Sequence, residues 1–580
     1  MKAKTFNRFK NMIKPYKKTI IIVTLTALLI DLCELIKPML VKEVMEKYLP
    51  NNTFVQNGIS IAMIVAAYLG LVIAGNIIEF INRIVTSRMG ENVVYTLREK
   101  LYKYIERANI TFHDKTPSGK LFVRIINDTE DVYSLFDEVV TTLPKDIIII
   151  IGLLGIMMYI SVKLSVVNFI IVPILLIFTS IITKAMNKIF AKSKEVRTKL
   201  NTFLAESIYG IKLIKIFNRQ KEKQEECERY TLEHKNSIKG LGILFGIMPA
   251  VMELIQNLGT MLIILFCVNR WFGIVLDPSI VFLFVTYLNK IFEPINRIVD
   301  NIEIVEDAMS SVDKIYEILE QNEFIEDTES GIHLENVKGK IEFKNVWFAY
   351  DKENWVLKDV SFTIEPGESV ALVGKTGSGK TTITNLINRF YTIQKGEILI
   401  DGINIYDINI TSLRNNIGTI LQDPFIFSKS IKDNIRLYSE ISDETINNSV
   451  NLASANDFIG TLNNGLDEIA QERGGSYSAG QKQLIAFSRI FAKNPAIFVL
   501  DEATANIDTK TEGYIQKSID KISADRTSIF IAHRLATIVN VDKILVLNKG
   551  KIIEQGNHKS LIEENGYYAK LYNAYYNSLL

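Results

Sequence analysis

Two stretches carry residue types whose spacing suits phosphate chemistry. The first is Gly374-Lys375-Thr376-Gly377-Ser378-Gly379-Lys380-Thr381-Thr382. It follows the buried-strand pattern Val370-Ala371-Leu372-Val373 and runs into an apolar-periodic helix. This is G-x-x-x-x-G-K-[ST] in its strand–loop–helix context. Glycines let backbone N–H groups close around phosphate oxygens, and the helix N-terminus adds the positive end of its dipole. Lys380 would reach the β- and γ-phosphates, and the Thr381 hydroxyl would ligate Mg²⁺. The second stretch, Ala496-Ile497-Phe498-Val499-Leu500-Asp501-Glu502, is an apolar strand ending in two acids. Asp501 can hold the Mg²⁺ shell, and Glu502 is placed to polarise an attacking water. Together the two point to nucleotide binding and hydrolysis.

A third stretch, Ser476-Tyr477-Ser478-Ala479-Gly480-Gln481, leaves three roles open for Ser478. A serine before an apolar helical pattern is commonly an N-cap. A nucleophile elbow needs Gly-x-Ser-x-Gly, a frame that neither serine has. Anion binding at the helix start is the third possibility.

The elements around these residues are short β-branched strands alternating with helices, the pattern of an α/β domain. The first half of the chain is different. Met1–Lys18 carries seven basic residues and no acid, ahead of an apolar segment from Thr19 to about Leu40 that is long enough to span a bilayer. Five more candidate spans follow, near 59–84, 139–161, 164–186, 241–272 and 278–298. Six spans and a basic N-terminal flank place both termini in the cytoplasm. The stretches 82–138 and 187–239 are rich in Lys, Arg and Glu at helical spacing. They read as membrane helices continuing into the cytoplasm, broken by turns at 112–119 and near Tyr209-Gly210.

Several spans contain acids: Asp31, Glu34, Glu79, Asp146 and Glu253. Such groups face a polar cavity or pair with neighbours such as Lys37, Arg83 or Lys145. Glu253, with Gln256 and Asn257 one turn on, is the expected cavity residue.

The chain has 580 residues, so two or more domains are expected: a membrane domain over 1–300, a linker over 301–338 and a nucleotide domain over 339–580. Charge is nearly balanced, with 66 basic and 65 acidic residues, which argues against a dedicated nucleic-acid binder. Cys33, Cys227 and Cys267 lie far apart, without disulfide or zinc spacing. The composition suggests a bacterial plasma membrane.

The order of the P-loop, Gln422 in Leu421-Gln422-Asp423-Pro424-Phe425, the Ser-Ala-Gly-Gln stretch, the strand ending Asp501-Glu502, and His533 in Ile531-Ala532-His533-Arg534-Leu535 resembles the nucleotide-binding domains of ABC transporters. Six spans ahead of one such domain resemble an ABC exporter half-transporter. The implied fold is an all-α six-helix transmembrane domain followed by an α/β P-loop NTPase domain. The resemblance makes ATP and Mg²⁺ the cofactors. It makes Tyr350 the aromatic that stacks on adenine, and Gln422 a sensor of Mg²⁺ and the attacking water. Glu502 becomes the general base, and His533 the contact to the γ-phosphate. Asp508 falls at the acid of the loop Ala505-Asn506-Ile507-Asp508. Ser478, Gly480 and Gln481 fall in the signature that grips ATP bound to a second subunit, so Ser478 is both helix cap and anion ligand. The turns near 116–121 and 209–213 match coupling helices, and Glu472-Arg473-Gly474 the motif that meets them.

The signature reads Tyr477-Ser478-Ala479-Gly480-Gln481 where Leu-Ser-Gly-Gly-Gln is the consensus. A methyl at Ala479 adds bulk near the expected phosphate. In heterodimeric exporters one chain keeps the catalytic acid and histidine but has an altered signature, and this chain resembles that one. A heterodimer with a second half-transporter is therefore favoured, with a homodimer open. The expected function is ATP-driven export of hydrophobic or amphipathic compounds, multidrug or lipid-like, across the plasma membrane. The rivals are a dedicated peptide or bacteriocin exporter, disfavoured because no protease domain precedes the first span, and an ATP-gated sensor or channel, disfavoured by Glu502 and His533. An importer fits less well, since importers usually carry spans and ATPase on separate chains.

Overall fold

The computed structural model describes residues 3–48, 55–56, 59–268, 277–321, 326–351, 354–501, 509–524, 526–531 and 538–577. The chain divides into two compact units, one of residues 1–106 and 117–322, the other of residues 107–116 and 323–580.

The first unit is helical. An amphipathic helix α1 (Ala3–Ile13) leads through a short 3₁₀ turn at Pro15 into α2 (Lys17–Lys47). After the two-residue strands β1 (Val55–Gln56) and β2 (Ile59–Ser60) comes α3 (Ile61–Arg107). The short helix α4 (Ile110–Lys115) belongs to the second unit. Helix α5 (Ser118–Ser134) passes through one π-helical turn at Leu135–Val140 into α6 (Thr142–Ile160). Helix α7 (Val162–Tyr209), the short α8 (Ile211–Ile216), α9 (Gln220–Val268) and α10 (Pro278–Leu319) complete the unit.

Helices α3, α7 and α9 have 47, 48 and 49 residues. About 20 residues cross the hydrocarbon core, so each projects well beyond it. The breaks read from the sequence fall where α4 and α8 lie. Five helical stretches among the described residues are long and apolar enough to cross a membrane. Helix α10 falls outside that set, because Lys290, Glu293 and Arg297 interrupt its apolar run. It continues unbroken to Leu319, through residues whose charge suggested a linker.

Two kinds of apolar surface mark this unit. Leu153, Leu175, Ile263, Phe284, Tyr287 and Ile291 are fully buried between helices. Ile21, Ile22, Leu25, Leu29, Leu69 and Ile73 are more than half exposed. Apolar exposure on this scale suits a lipid solvent and not water.

The second unit contains two sheets. The strands are β3 (Ile341–Phe348), β4 (Leu357–Ile364), β5 (Ser369–Val373), β6 (Lys395–Ile400), β7 (Ile403–Asn404), β8 (Ile417–Ile420), β9 (Ile497–Asp501), β10 (Thr527–Ile531), β11 (Lys543–Asn548) and β12 (Lys551–Gly556). The larger sheet runs β12-β11-β5-β10-β9-β8, parallel except for the β11–β12 hairpin. Its inner strands are buried on both faces, which is why Val370–Val373 of β5 and Ile497–Leu500 of β9 read as continuous apolar runs. The second sheet, β4-β3-β6-β7, is antiparallel. The inner residues of β3 and β4 pack with α11 (Lys380–Ile387) and one face of the parallel sheet.

Candidate phosphate-binding site

Strand β5 sits between β10 and β11, both parallel to it, and ends at Val373. The chain then turns through 374–379 into α11. In an open parallel sheet, ligands bind in the crevice outside the carboxyl ends of the strands. The turn is built by close approach. A Cβ on Gly374 would lie 2.3 Å from the Leu547 carbonyl oxygen. Gly377 and Gly379 have φ of +80° and +107°, the left-handed region that side chains avoid. Lys375, Thr376 and Gly377 are exposed at the rim, whereas Ser378 and Lys380 are buried.

The Lys380 ammonium donates to the carbonyls of Gly374 (2.7 Å) and Lys375 (3.2 Å), which holds it over the loop it emerges from. Ser378 Oγ is buried and has no hydrogen-bond partner among the described residues. A buried hydroxyl is costly when unpaired, so this orphan beside a ring of glycine backbone suits a phosphate oxygen. Thr381 is exposed in the first turn of α11, and Thr382 Oγ1 lies 3.1 Å from the Tyr350 hydroxyl. Tyr350 is 46% exposed, so this aromatic residue is accessible from outside.

Strands β8 and β9 pair in parallel, Ile420 opposite Leu500. Gln422 and Asp501 therefore leave the same edge of the sheet, Asp501 two strands over from the P-loop strand and Gln422 three. Gln422 is exposed, and its backbone oxygen accepts from Gln483 Nε2 at 3.1 Å. Thr381 and Asp501 offer one hydroxyl and one carboxylate. That is too few for an all-protein metal cage and suits Mg²⁺, which also takes phosphate oxygens. The residues present thus fit a magnesium nucleotide. Glu502, His533 and the loop 505–508 lie outside the described residues.

The helix Ala479–Lys493 opens with a complete capping box: Ser478 Oγ accepts from Gln481 N (3.2 Å), and Gln481 Oε1 accepts from Ser478 N (2.9 Å). Ser478 is therefore an N-cap, which stabilises such helices by about 1 kcal/mol. Tyr477 is buried edge-on against Phe458, so the unusual aromatic is a packing residue of this domain. Ala479 is exposed. Arg473 and Gly474 adopt φ of +54° and +63°, a sharp corner just before the signature.

Sequence reasoning missed three residues here. Gln483 and Arg489 hold the segment after β8 from the signature helix: Arg489 donates to the backbone oxygens of Phe425 (2.8 Å) and Asn434 (2.7 Å). Burial lowers the Arg489 guanidinium to about 10. Tyr391 lies edge-on to Tyr350, ring centroids 5.0 Å apart, and donates to Asp114 of α4 at 2.6 Å. Burial and the Asp114 carboxylate raise its phenol well above the usual range. No motif marks Tyr391, although the turn containing Asp114 is visible in the sequence.

In the helical unit the acids divide. Glu34 pairs with Lys37 and Lys290, Glu79 with Arg83, Asp31 with Lys145 and Asp146 with Arg297. A cavity of about 850 Å³ is lined by Asp31, Glu34 and Glu79 among others. Glu253 is not among its lining residues. It is exposed on α9. The one-turn spacing to Gln256 and Asn257 marks a helix face without telling which neighbour that face meets.

Comparison with known proteins agrees with this geometry. Residues 20–295 match the ABC transporter transmembrane region and residues 357–505 the ABC transporter family. The chain is 36% identical to a Bacillus subtilis protein named a probable multidrug resistance ABC transporter ATP-binding/permease protein, over 88% of this chain and 76% of that one. It is 32% identical to an ATP-dependent lipid A-core flippase of Haemophilus influenzae, over 98% and 96%. The solved structure of a bacterial Atm1-family ABC exporter with ATP bound superposes with a TM-score of 0.81 and 26% identity, over 96% of this chain and 99% of that chain.

Proposed function

The chain belongs to the ABC transporter family, as an exporter half with membrane and ATPase domains on one polypeptide, and from this premise we propose that it pairs with a second half-transporter to export amphipathic compounds. It is an ATPase coupled to transmembrane transport. The proposal adds the partner, the substrate class, the plasma membrane with both termini cytoplasmic, and the residue roles.

The observation that carries the catalytic assignment is the loop cradle. Lys380 and the orphan Ser378 hydroxyl converge on the mouth of a glycine turn at the carboxyl edge of the sheet. ATP supplies the phosphoanhydride bond and, with Mg²⁺, its own charge neutralisation. The chain supplies position. Backbone N–H groups of 375–380 take the phosphate oxygens, Lys380 adds a fixed cation, and Tyr350 offers its ring to the base. Thr381 and Asp501 would hold Mg²⁺, and Gln422 would sense the metal and the attacking water. Glu502 takes the proton of the attacking water, and His533 contacts the γ-phosphate.

A partner is supported by two features. The signature of this chain caps its own helix, which leaves its phosphate-binding capacity for another molecule's ATP. Helix α8 and its flanks present Leu213, Ile216 and Phe217 exposed, an apolar tip well suited to docking on a partner. A heterodimer is supported by the substituted signature together with an unaltered Glu502 and His533. Closure of the paired nucleotide domains on ATP would turn the membrane cavity outward, and hydrolysis would reset it.

The test is expression of this chain alone and with a neighbouring half-transporter, reading particle mass and Mg²⁺-dependent ATPase. The expected result is turnover only in the mixed complex. Glu502→Gln should trap an ATP-bound closed state, with turnover reduced by at least about a hundredfold, the scale of general-base catalysis. A stable, active complex of this chain alone would make it a homodimer. Unchanged turnover in Glu502→Gln would remove Glu502 as the base.

A further inference from the structure

The membrane cavity has a charge pattern with a consequence for what it admits. Six carboxylates and four bases line it, a formal surplus of two negative charges. Each base is already engaged. Arg83 lies 2.9 Å from Glu79, Lys290 2.7 Å from Glu34, and Arg297 2.5 Å from both Asp146 and Glu293. The fourth pair is the weak one. Lys145 Nζ stands 3.4 Å from Asp31 Oδ1, beyond the 2.7–2.9 Å typical of a charge-assisted hydrogen bond. Asp31 is 4% exposed, and its Oδ2 is buried with no hydrogen-bond partner among the described residues. A carboxylate oxygen in that state is costly unless a donor or a cation joins it.

We propose that this cavity is a binding site for amphipathic organic cations, with the Asp31 carboxylate as the counter-ion. An anion would have to draw a base from its carboxylate, and taking Arg297 or Lys145 would strand the buried Asp146 or Asp31. A cation needs only to approach Asp31, whose second oxygen is unengaged. Ala27, Ile30 and Ile149 form apolar wall for the hydrocarbon part, and Tyr133 adds an aromatic ring to the lining. The volume of about 850 Å³ falls in the range that holds a drug-sized molecule. This inference deepens the export reading and rests on it for transport, but the binding step stands separately.

The test uses the matched pair tetraphenylphosphonium and tetraphenylborate, which share shape and differ in the sign of charge. Binding of each to the full complex in nanodiscs is measured by equilibrium dialysis, corrected with protein-free nanodiscs. The cation is expected to bind at least about tenfold tighter than the anion. Asp31→Asn should abolish that preference, and Glu253→Gln should leave it intact. Lys145→Gln should tighten the cation several-fold by releasing Asp31, a gain that misfolding cannot mimic. Equal binding of the two ions, or an Asp31→Asn variant that keeps the preference while Lys145→Gln gains nothing, would overturn the proposal. Cation binding without ATP-dependent movement of the probe would keep the site and remove the export reading. ATP-dependent movement of a neutral amphipath without cation preference would do the reverse.

Discussion

The phosphate loop handles charge with backbone dipoles, whereas the membrane cavity handles it with opposed side chains. In the loop, glycines at positive φ aim N–H groups and leave one hydroxyl, Ser378 Oγ, without a partner. The loop is an electropositive cradle that needs no countercharge from the protein. In the cavity each base has an acid within 3.4 Å, because a lone charge in a low-dielectric medium is too costly to keep. The comparison separates two kinds of specificity. The loop recognises any nucleotide phosphate by fixed geometry. The cavity discriminates by which ion pair a ligand can join without breaking another.

Variants that strike one region and spare the other would sharpen this contrast. The largest effect is expected from Lys380→Ala, which removes the cation from the loop. ATPase turnover should fall by at least about a hundredfold, while thermal stability changes little, since the Lys380 bonds to Gly374 and Lys375 lie within the loop itself. A turnover loss below tenfold would mean that the backbone alone carries phosphate binding. Next comes Arg297→Ala. It strands Asp146, which is fully buried, and breaking such a pair costs about 3–5 kcal/mol. The melting midpoint of the purified complex should drop clearly, and Asp146→Asn in the same chain should restore much of it. If the double variant is no more stable than the single one, the pair is not what holds these helices. The smallest effect is expected from Tyr391→Phe, which deletes the 2.6 Å bond to Asp114 but keeps the ring against Tyr350. Nucleotide affinity should stay within about twofold, while stimulation of ATPase by a transported compound should weaken. A shift in affinity with unchanged stimulation would reverse the role given to Tyr391.

The legibility of these features from sequence was uneven for a physical reason. A P-loop is local: nine consecutive residues contain the strand end, the turn and the helix start, so its chemistry is written in one place. The same holds for the capping box of Ser478 and Gln481, which spans four residues. Membrane spans are local too, since a bilayer selects on the hydropathy of a single run. Helix α10 shows the limit, because its charged middle reads as less apolar than its position requires. The pairing of Asp146 with Arg297 spans 151 residues, and that of Tyr391 with Asp114 spans 277.

By itself the sequence determined the two-domain order, the helical spans with their long polar extensions, the nucleotide loop and its glycines, because each depends on neighbours in the chain. Tertiary structure alone decided which acids share a cavity, that Glu253 lies outside it, that Tyr477 is core, and that Tyr391 reaches α4. Those outcomes depend on which helix faces meet. Hydropathy tells that a face must be covered, and only the packing tells by what.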